Sequence, residues 1–324
     1  MMAAKFLKAA LYAAAFTSIF AASAEAAYPD KPIHLIVPFP AGQGADILAR
    51  AVADKLGDAL NTPIVVENRP GAGGVVGSSY VARQPADGYT LLIGSSGPLS
   101  IAPHVNVAVS YDAVKSFTPI ANLAAVTQVM VTAADGPYKT LGDVIAKAKA
   151  GQELQYASSG IGSTSHLLME YFAQRSGLKL AHVPYKGGPQ AMVDVVAQRI
   201  PIMFDALPGI LAGVKSKQLR ALAVSSKSRS PFLPDVPTVE EAGVQGFATE
   251  GWIGLFGPAA LNKKIVTLIN TEVNKILAEP STRQRLAALA FRPVSSSPEH
   301  FREFVASEYH MWGEVAKHAG VTPK

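Results

Sequence analysis

Two stretches of the chain join a strand-like apolar run to a Gly-rich loop and then to a helical apolar pattern. They are PFPAGQGADILARAV, residues 38–52, and LQYASSGIGSTSHLLMEYF, residues 154–172. A strand-to-helix turn of this kind leaves the first amides of the helix unpaired and carries partial positive charge. Gly42, Gly44, Gly160 and Gly162 let a ligand approach the main chain closely, and Ser158, Ser163 and Thr164 add hydroxyls. The chemistry that suits this is non-covalent capture of an anion. Either loop alone is equally compatible with a plain tight turn. Two such loops facing each other across a cleft would clamp one anion, because ligands of open α/β sheets sit beyond the carboxyl ends of strands.

Other chemistries find less support. GIGSTS lacks the lysine of a P-loop, and GQGADI lacks the third glycine of a dinucleotide fingerprint, with Leu48 near its place. Ser163, Ser165 and His166 are sequence neighbours but form no G-x-S-x-G elbow. The histidines show no HExxH, and the absence of cysteine removes thiolate catalysis, disulfides and zinc-cysteine sites together. Asp46 and Asp205 are lone carboxylates. An acid in a first helical turn complements the dipole, and Asp46 would weaken an anion cradle unless it points away. ENRPGAGGVVG, residues 67–77, is either a turn with Glu67 and Arg69 paired or solvated, or a further site.

The elements that must position these loops alternate. IHLIVPF, PIVVEN and YTLLIGSS read as strands separated by the helices GADILARAVADKLGDAL, with Leu48, Val52, Leu56 and Ala59 on one stripe, and GGVVGSSYVAR. The second half repeats this grammar from VTQVMVTA to IPIMFDA, followed by LRALAVSS, WIGLFGP and two long helices. The βαβ order predicts an α/β fold of two lobes with largely parallel sheets. With 324 residues, 49% hydrophobic and 16% charged, the chain can bury two cores. The formal charge of +5 includes Lys5 and Lys8 and no basic run, so no nucleic-acid footprint is present. Residues 1–26 read as a secretion signal: MMAAKFLK, the apolar run AALYAAAFTSIF, then AASAEA, with cleavage expected near residues 24–27. That run is shorter than the roughly 20 residues a membrane span needs.

YPDKPIHLIVPFPAGQGAD, VVENRPGAGGVVGSSYVARQPADGYTLLIGSS, ASSGIGSTSHLLMEYF, VPYKGGPQAMVD and LRALAVSSKSRSPFLPDVPTVEEAG, in this order, resemble the solute-binding proteins of tripartite tricarboxylate transporters, the Bug or TctC family. The resemblance implies a periplasmic binding protein-like fold of type II, a Venus flytrap closing on a small carboxylate that is delivered to membrane permease subunits. It implies no cofactor, no metal and a monomer. Carried onto this chain, Phe39, Ala41 and Gly42 contribute wall and backbone donors, and Asp46 braces the first loop. Ser158, Gly162, Ser163 and Thr164 form the second loop, with His166 behind them; Tyr185 and Asp205 line the far end. Ser95, closing the third strand, completes the set. Where the family loop reads close to PFPAGGPTD, this chain has Gln43, which adds an amide, and Ala45, which removes a hydroxyl. The family's GG ahead of a second-lobe strand is Ala197 and Gln198 here.

The expected division is residues 27–124 plus 256–324 for lobe 1 and 125–255 for lobe 2, with the return crossing between 226 and 257. A sensor component for a signalling partner, or a secreted hydrolase of a carboxylate or ester, are the alternative functions.

Overall fold

The computed structural model describes residues 28–151 and 153–323, so the expected secretion signal lies outside the described residues. The first strands and helices are β1 (Ile33–Val37), α1 (Gly44–Leu60), β2 (Ile64–Asn68), α2 (Val75–Val81), β3 (Thr90–Ser95), α3 (Ala102–Val105), β4 (Phe117–Val126) and β5 (Gln128–Ala133). There follow α4 (Leu141–Lys149), β6 (Leu154–Ser158), α5 (Thr164–Ser176), β7 (Leu180–Pro184), α6 (Gly188–Val196), β8 (Ile202–Ala206), α7 (Leu207–Lys215) and β9 (Leu219–Val224). The chain ends with β10 (Gly251–Pro258), α8 (Lys263–Ala278), α9 (Pro280–Ala288), β11 (Arg292–Pro293) and α10 (Pro298–His318).

The strands form two sheets, ordered β11-β4-β10-β3-β1-β2 and β7-β6-β8-β5-β9. The two-lobed α/β architecture is the expected one, but both sheets are mixed. Between the strands of the two sheets, parallel pairing is confined to β1 with β2 and β3, and to β6 with β7 and β8. The antiparallel halves have a physical origin. β5 and β10 carry the chain across from the other sheet, so they begin at the cleft and run away from it, against neighbours whose carboxyl ends point toward it. Thr127 alone separates β4 in the first sheet from β5 in the second. The return is at Gly251, which already pairs with Val126 in the first sheet.

Helix stripes close the cores. Leu48, Val52 and Leu56 of α1 are buried on the first sheet, whereas Ala59 is exposed. Leu167, Leu168 and Phe172 of α5 pack with Tyr156, Ile202 and Phe204 of the second. The long excursion from β9 to β10 stays with the second lobe, burying Val239, Val244 and Phe247 in its core. Gln198 takes φ 60°, the left-handed turn conformation in which glycine is relaxed.

The final helix serves both lobes. Phe301 and Val305 of α10 pack with Trp252 and Phe256 of the first sheet. Trp312, Val315 and Ala316, further along the same helix, pack in the second-lobe core. Both expected chain crossings are present, and α10 joins the lobes as a third element. Truncating a buried aromatic costs about 3–5 kcal/mol. Trp312→Ala is expected to destabilise the protein by that order in urea unfolding, and to loosen the contact between α10 and the second lobe.

Candidate functional site

The two Gly-rich loops lie on opposite walls of one cleft of about 1070 Å³ between the sheets. Their backbones match at the glycine and at the N-cap that follows it. Gly42 and Gly162 take φ 82° and 74°. Gln43 and Ser163 follow as N-caps with φ/ψ of −75°/161° and −73°/162°. In both loops the glycine N–H is taken by the side chain four residues on: Gly42 N donates to Asp46 Oδ2 at 2.8 Å, and Gly162 N donates to His166 Nδ1 at 3.1 Å. Each loop is thus pinned from behind, and the next amides, of Gly44 and Ala45 and of Thr164 and Ser165, meet no backbone or side-chain acceptor among the described residues. These unpaired donors open onto the cleft.

The braces are built differently. Burial alone would raise the Asp46 carboxyl, but the Arg50 guanidinium, the Gly42 amide and the Asn68 amide outweigh it and hold its pKa below the ordinary value. Asn68 Nδ2, at the end of β2, donates to Asp46 Oδ1 at 2.8 Å and to Phe39 O at 3.0 Å. The ENRPGAGG segment is thereby a support for the first loop, with Arg69 paired to Glu67 and lying over the Tyr80 ring. Ala72 and Gly73 of that segment reach the cleft wall. Behind the second loop, His166 stacks on His182 with ring centroids 3.9 Å apart, and His182 stacks on Tyr156. His182 Nε2 meets Ser158 Oγ at 2.6 Å.

Of the residues expected at the site, Phe39, Gln43, Ser95, Gly162, Ser163, Thr164 and Asp205 line the cleft. Ala41 and Gly42 do not; they are exposed on its outer side, and the Gly42 amide is occupied by Asp46. Asp46, Ser158 and His166 are buried behind the loops as supports. Tyr185 is turned aside, its hydroxyl donating to Asp194 at 2.6 Å. Ser96, Gly97, Gln128, Ser159, Trp252 and Phe291 also line the cleft and were not expected there. Ser159 sits within the recognised loop, but Trp252 and Phe291 arrive from distant segments with no local signal. Phe291 explains Gly44, because a Cβ there would lie 2.8 Å from its Cζ. Val105 of the first lobe packs against Gly162 of the second, where a Cβ would lie 2.7 Å from Val105 Cγ2.

Among the described residues no Lys, Arg or His lines the cleft, and Asp205 is the one ionisable side chain that does. Groups of three or more residues able to hold a metal do not occur among the described residues. The close Ser158–His182 pair has no access to substrate, since Ser158 is 0% exposed.

A two-lobed α/β chain with an amide-lined cleft between its lobes, free of cationic side chains among the described residues, has the architecture of a solute-binding protein. Residues 48–321 match the family model described as "Tripartite tricarboxylate transporter family receptor", and the chain belongs to that family. It is 36% identical over 299 residues to Protein BugT of Bordetella pertussis, covering 92% of each chain. Among solved structures it is similar to R. palustris Rpa4515 with adipate, at 34% identity and TM-score 0.80, covering 92% of this chain and 100% of that one. It is also similar to MatC (Rpa3494) from Rhodopseudomonas palustris with bound malate, at 28% identity and TM-score 0.75, covering 89% and 99%.

The histidine brace titrates. Burial, and for His166 also the facing His182, lowers both pKa values from 6.5 to about 4. The unfolded chain takes up these protons below about 6.5, while the fold resists them until about 4. Stability contributed by the neutral pair is therefore intact above 6.5 and lost as pH falls toward about 4. Urea titrations across this range should show that slope, and His166→Asn, whose Oδ1 stands where Nδ1 accepts the Gly162 amide but does not titrate, should remove part of it.

Proposed function

We propose that this protein is a periplasmic solute-binding component that captures a small organic carboxylate between its lobes and presents it to the membrane subunits of a tripartite tricarboxylate-type transporter. The observation that carries this reading is the pair of matched helix starts whose unpaired amides open onto one cleft lined by no cationic side chain. Amides fixed by Asp46 and His166 need no reorganisation when an anion arrives, which limits the entropy lost on binding. Family membership, and relatives solved with adipate and with malate, support a carboxylate as that anion.

The energetics are adequate without an arginine. A hydrogen bond to a charged group contributes roughly 1.5–3 kcal/mol, and micromolar affinity requires about 8 kcal/mol. The four amides with the Thr164 hydroxyl and Gln43 cover that range, directly or through a bridging water, while the Ser163 hydroxyl is spent on Gly160 O at 2.6 Å. The donors come from both lobes, so the ligand makes its full set of contacts only in the closed form and shifts the population toward it. Thr127 and the 249–251 segment serve as the hinge in this reading.

Thr164→Pro removes one amide donor and its hydroxyl at the first helical position, where proline is tolerated and where the preceding Ser163 already has the extended conformation proline requires. Calorimetric titration with short mono- and dicarboxylates should show affinity reduced about tenfold or more, with the ligand-free melting temperature little changed. Unaltered affinity would remove the second helix start from the site.

A further inference from the structure

Among the described residues, the cleft that receives the anion has one ionisable side chain, and it is an acid. Asp205 sits near the carboxyl end of β8, the neighbour of β6, whose end leads into the second loop. The ladder pairs Ala157 with Met203, which brings Asp205 level with Ser159 across a single strand spacing of about 4.8 Å. Its Oδ1 accepts from the Ala206 amide at 2.7 Å. Its Oδ2 has no donor among the described residues. Gly188 at the start of α6 leaves room for it, since a Cβ there would lie 2.6 Å from Oδ2. The cleft is also lined by Gln128, on the strand beside β8, and by Trp252 and Phe291 of the first lobe, none of them cationic. Burial raises the Asp205 carboxyl, so an unsatisfied anionic oxygen here is unfavourable, and a ligand that supplies a donor relieves it.

Resting on the carboxylate reading above, we infer that the ligand is a short carboxylic acid that also carries a hydroxyl or ammonium group, and that Asp205 accepts a hydrogen bond from that group. A plain dicarboxylate places its second carboxylate against the buried Asp205 carboxyl, with no cationic side chain among the described lining residues to favour it. An unsubstituted monocarboxylate leaves Oδ2 without a partner. The short distance between the second loop and Asp205 limits the separation of the two ligand groups to a few carbons. Asp205 is in this sense a specificity-determining residue, separate from the amides that hold the carboxylate.

The test is calorimetric titration of the full protein and of Asp205→Asn with hydroxy- and aminocarboxylates, set against unsubstituted mono- and dicarboxylates of the same chain lengths. Asparagine retains an oxygen for the Ala206 amide, and the ligand-free melting temperature checks that the fold is kept. In the native protein at least one hydroxy- or aminocarboxylate should bind about tenfold or more tighter than its unsubstituted and dicarboxylate counterparts. Asp205→Asn should erase that preference and strengthen dicarboxylate binding. The inference is overturned if a plain dicarboxylate binds the native protein as tightly as its hydroxy or amino counterpart, or if Asp205→Asn leaves the ratio unchanged; the carboxylate reading survives either result. If no carboxylate of any kind binds, the carboxylate reading falls and this inference with it.

Discussion

An α-helix cannot satisfy its own first amides, and in this protein two helices begin at the same cleft with those amides aimed inward. Nearly every feature of the site follows from keeping them there and keeping them unpaired. The glycine at φ 82° or 74° turns the chain from strand to helix, and the extended N-cap swings the following N–H groups toward the ligand space. The side chain four residues on takes the glycine amide, so the loop cannot relax onto its own donors. What is left is a pair of dipolar, preorganised surfaces that favour an anion without a charged residue.

The two lobes reach this common geometry with different chemistry behind it. Asp46 is a buried carboxylate whose charge is balanced by Arg50 and the Asn68 amide, an arrangement stable across neutral and mildly acidic pH. His166 is a neutral acceptor embedded in a stack of His182 and Tyr156, and it works only while unprotonated. The second lobe's loop is therefore the more acid-sensitive of the two. The mixed sheets belong to the same logic: strands that cross between lobes must start at the cleft, so both crossings lie beside it. Helix α10 adds a third tie, bridging the cores of the two lobes.

Local signals carried much of this. The 3.6-residue periodicity and the flanking glycines located α1 and α5, and the paired loop pattern pointed to a shared anion site because backbone geometry is a local property. The braces were less legible. Asp46 could be read as a dipole-complementing acid, but its partner Asn68 is reached only through the pairing of β1 with β2. β4 escaped notice because Pro119 interrupts a stretch with no polar alternation, all but Thr118 being buried. The proline is tolerated because β11 pairs only with Ala124 and Ala125, leaving that edge open at Pro119. Phe291 and Trp252 reach the cleft through long-range packing, which leaves no trace in local periodicity. The family resemblance placed Tyr185 at the far end of the pocket, but Asp194 on α6 draws its hydroxyl away.

The central claim is that main-chain amides at two helix starts hold the ligand's carboxylate. A crystal structure of the protein with a bound carboxylate tests it most directly. The account predicts carboxylate oxygens within hydrogen-bond distance, directly or through one ordered water, of the Gly44 or Ala45 amides on one side and the Thr164 or Ser165 amides on the other. A carboxylate seated instead on an arginine or lysine side chain, or held by one lobe alone with both helix starts unengaged, would contradict it.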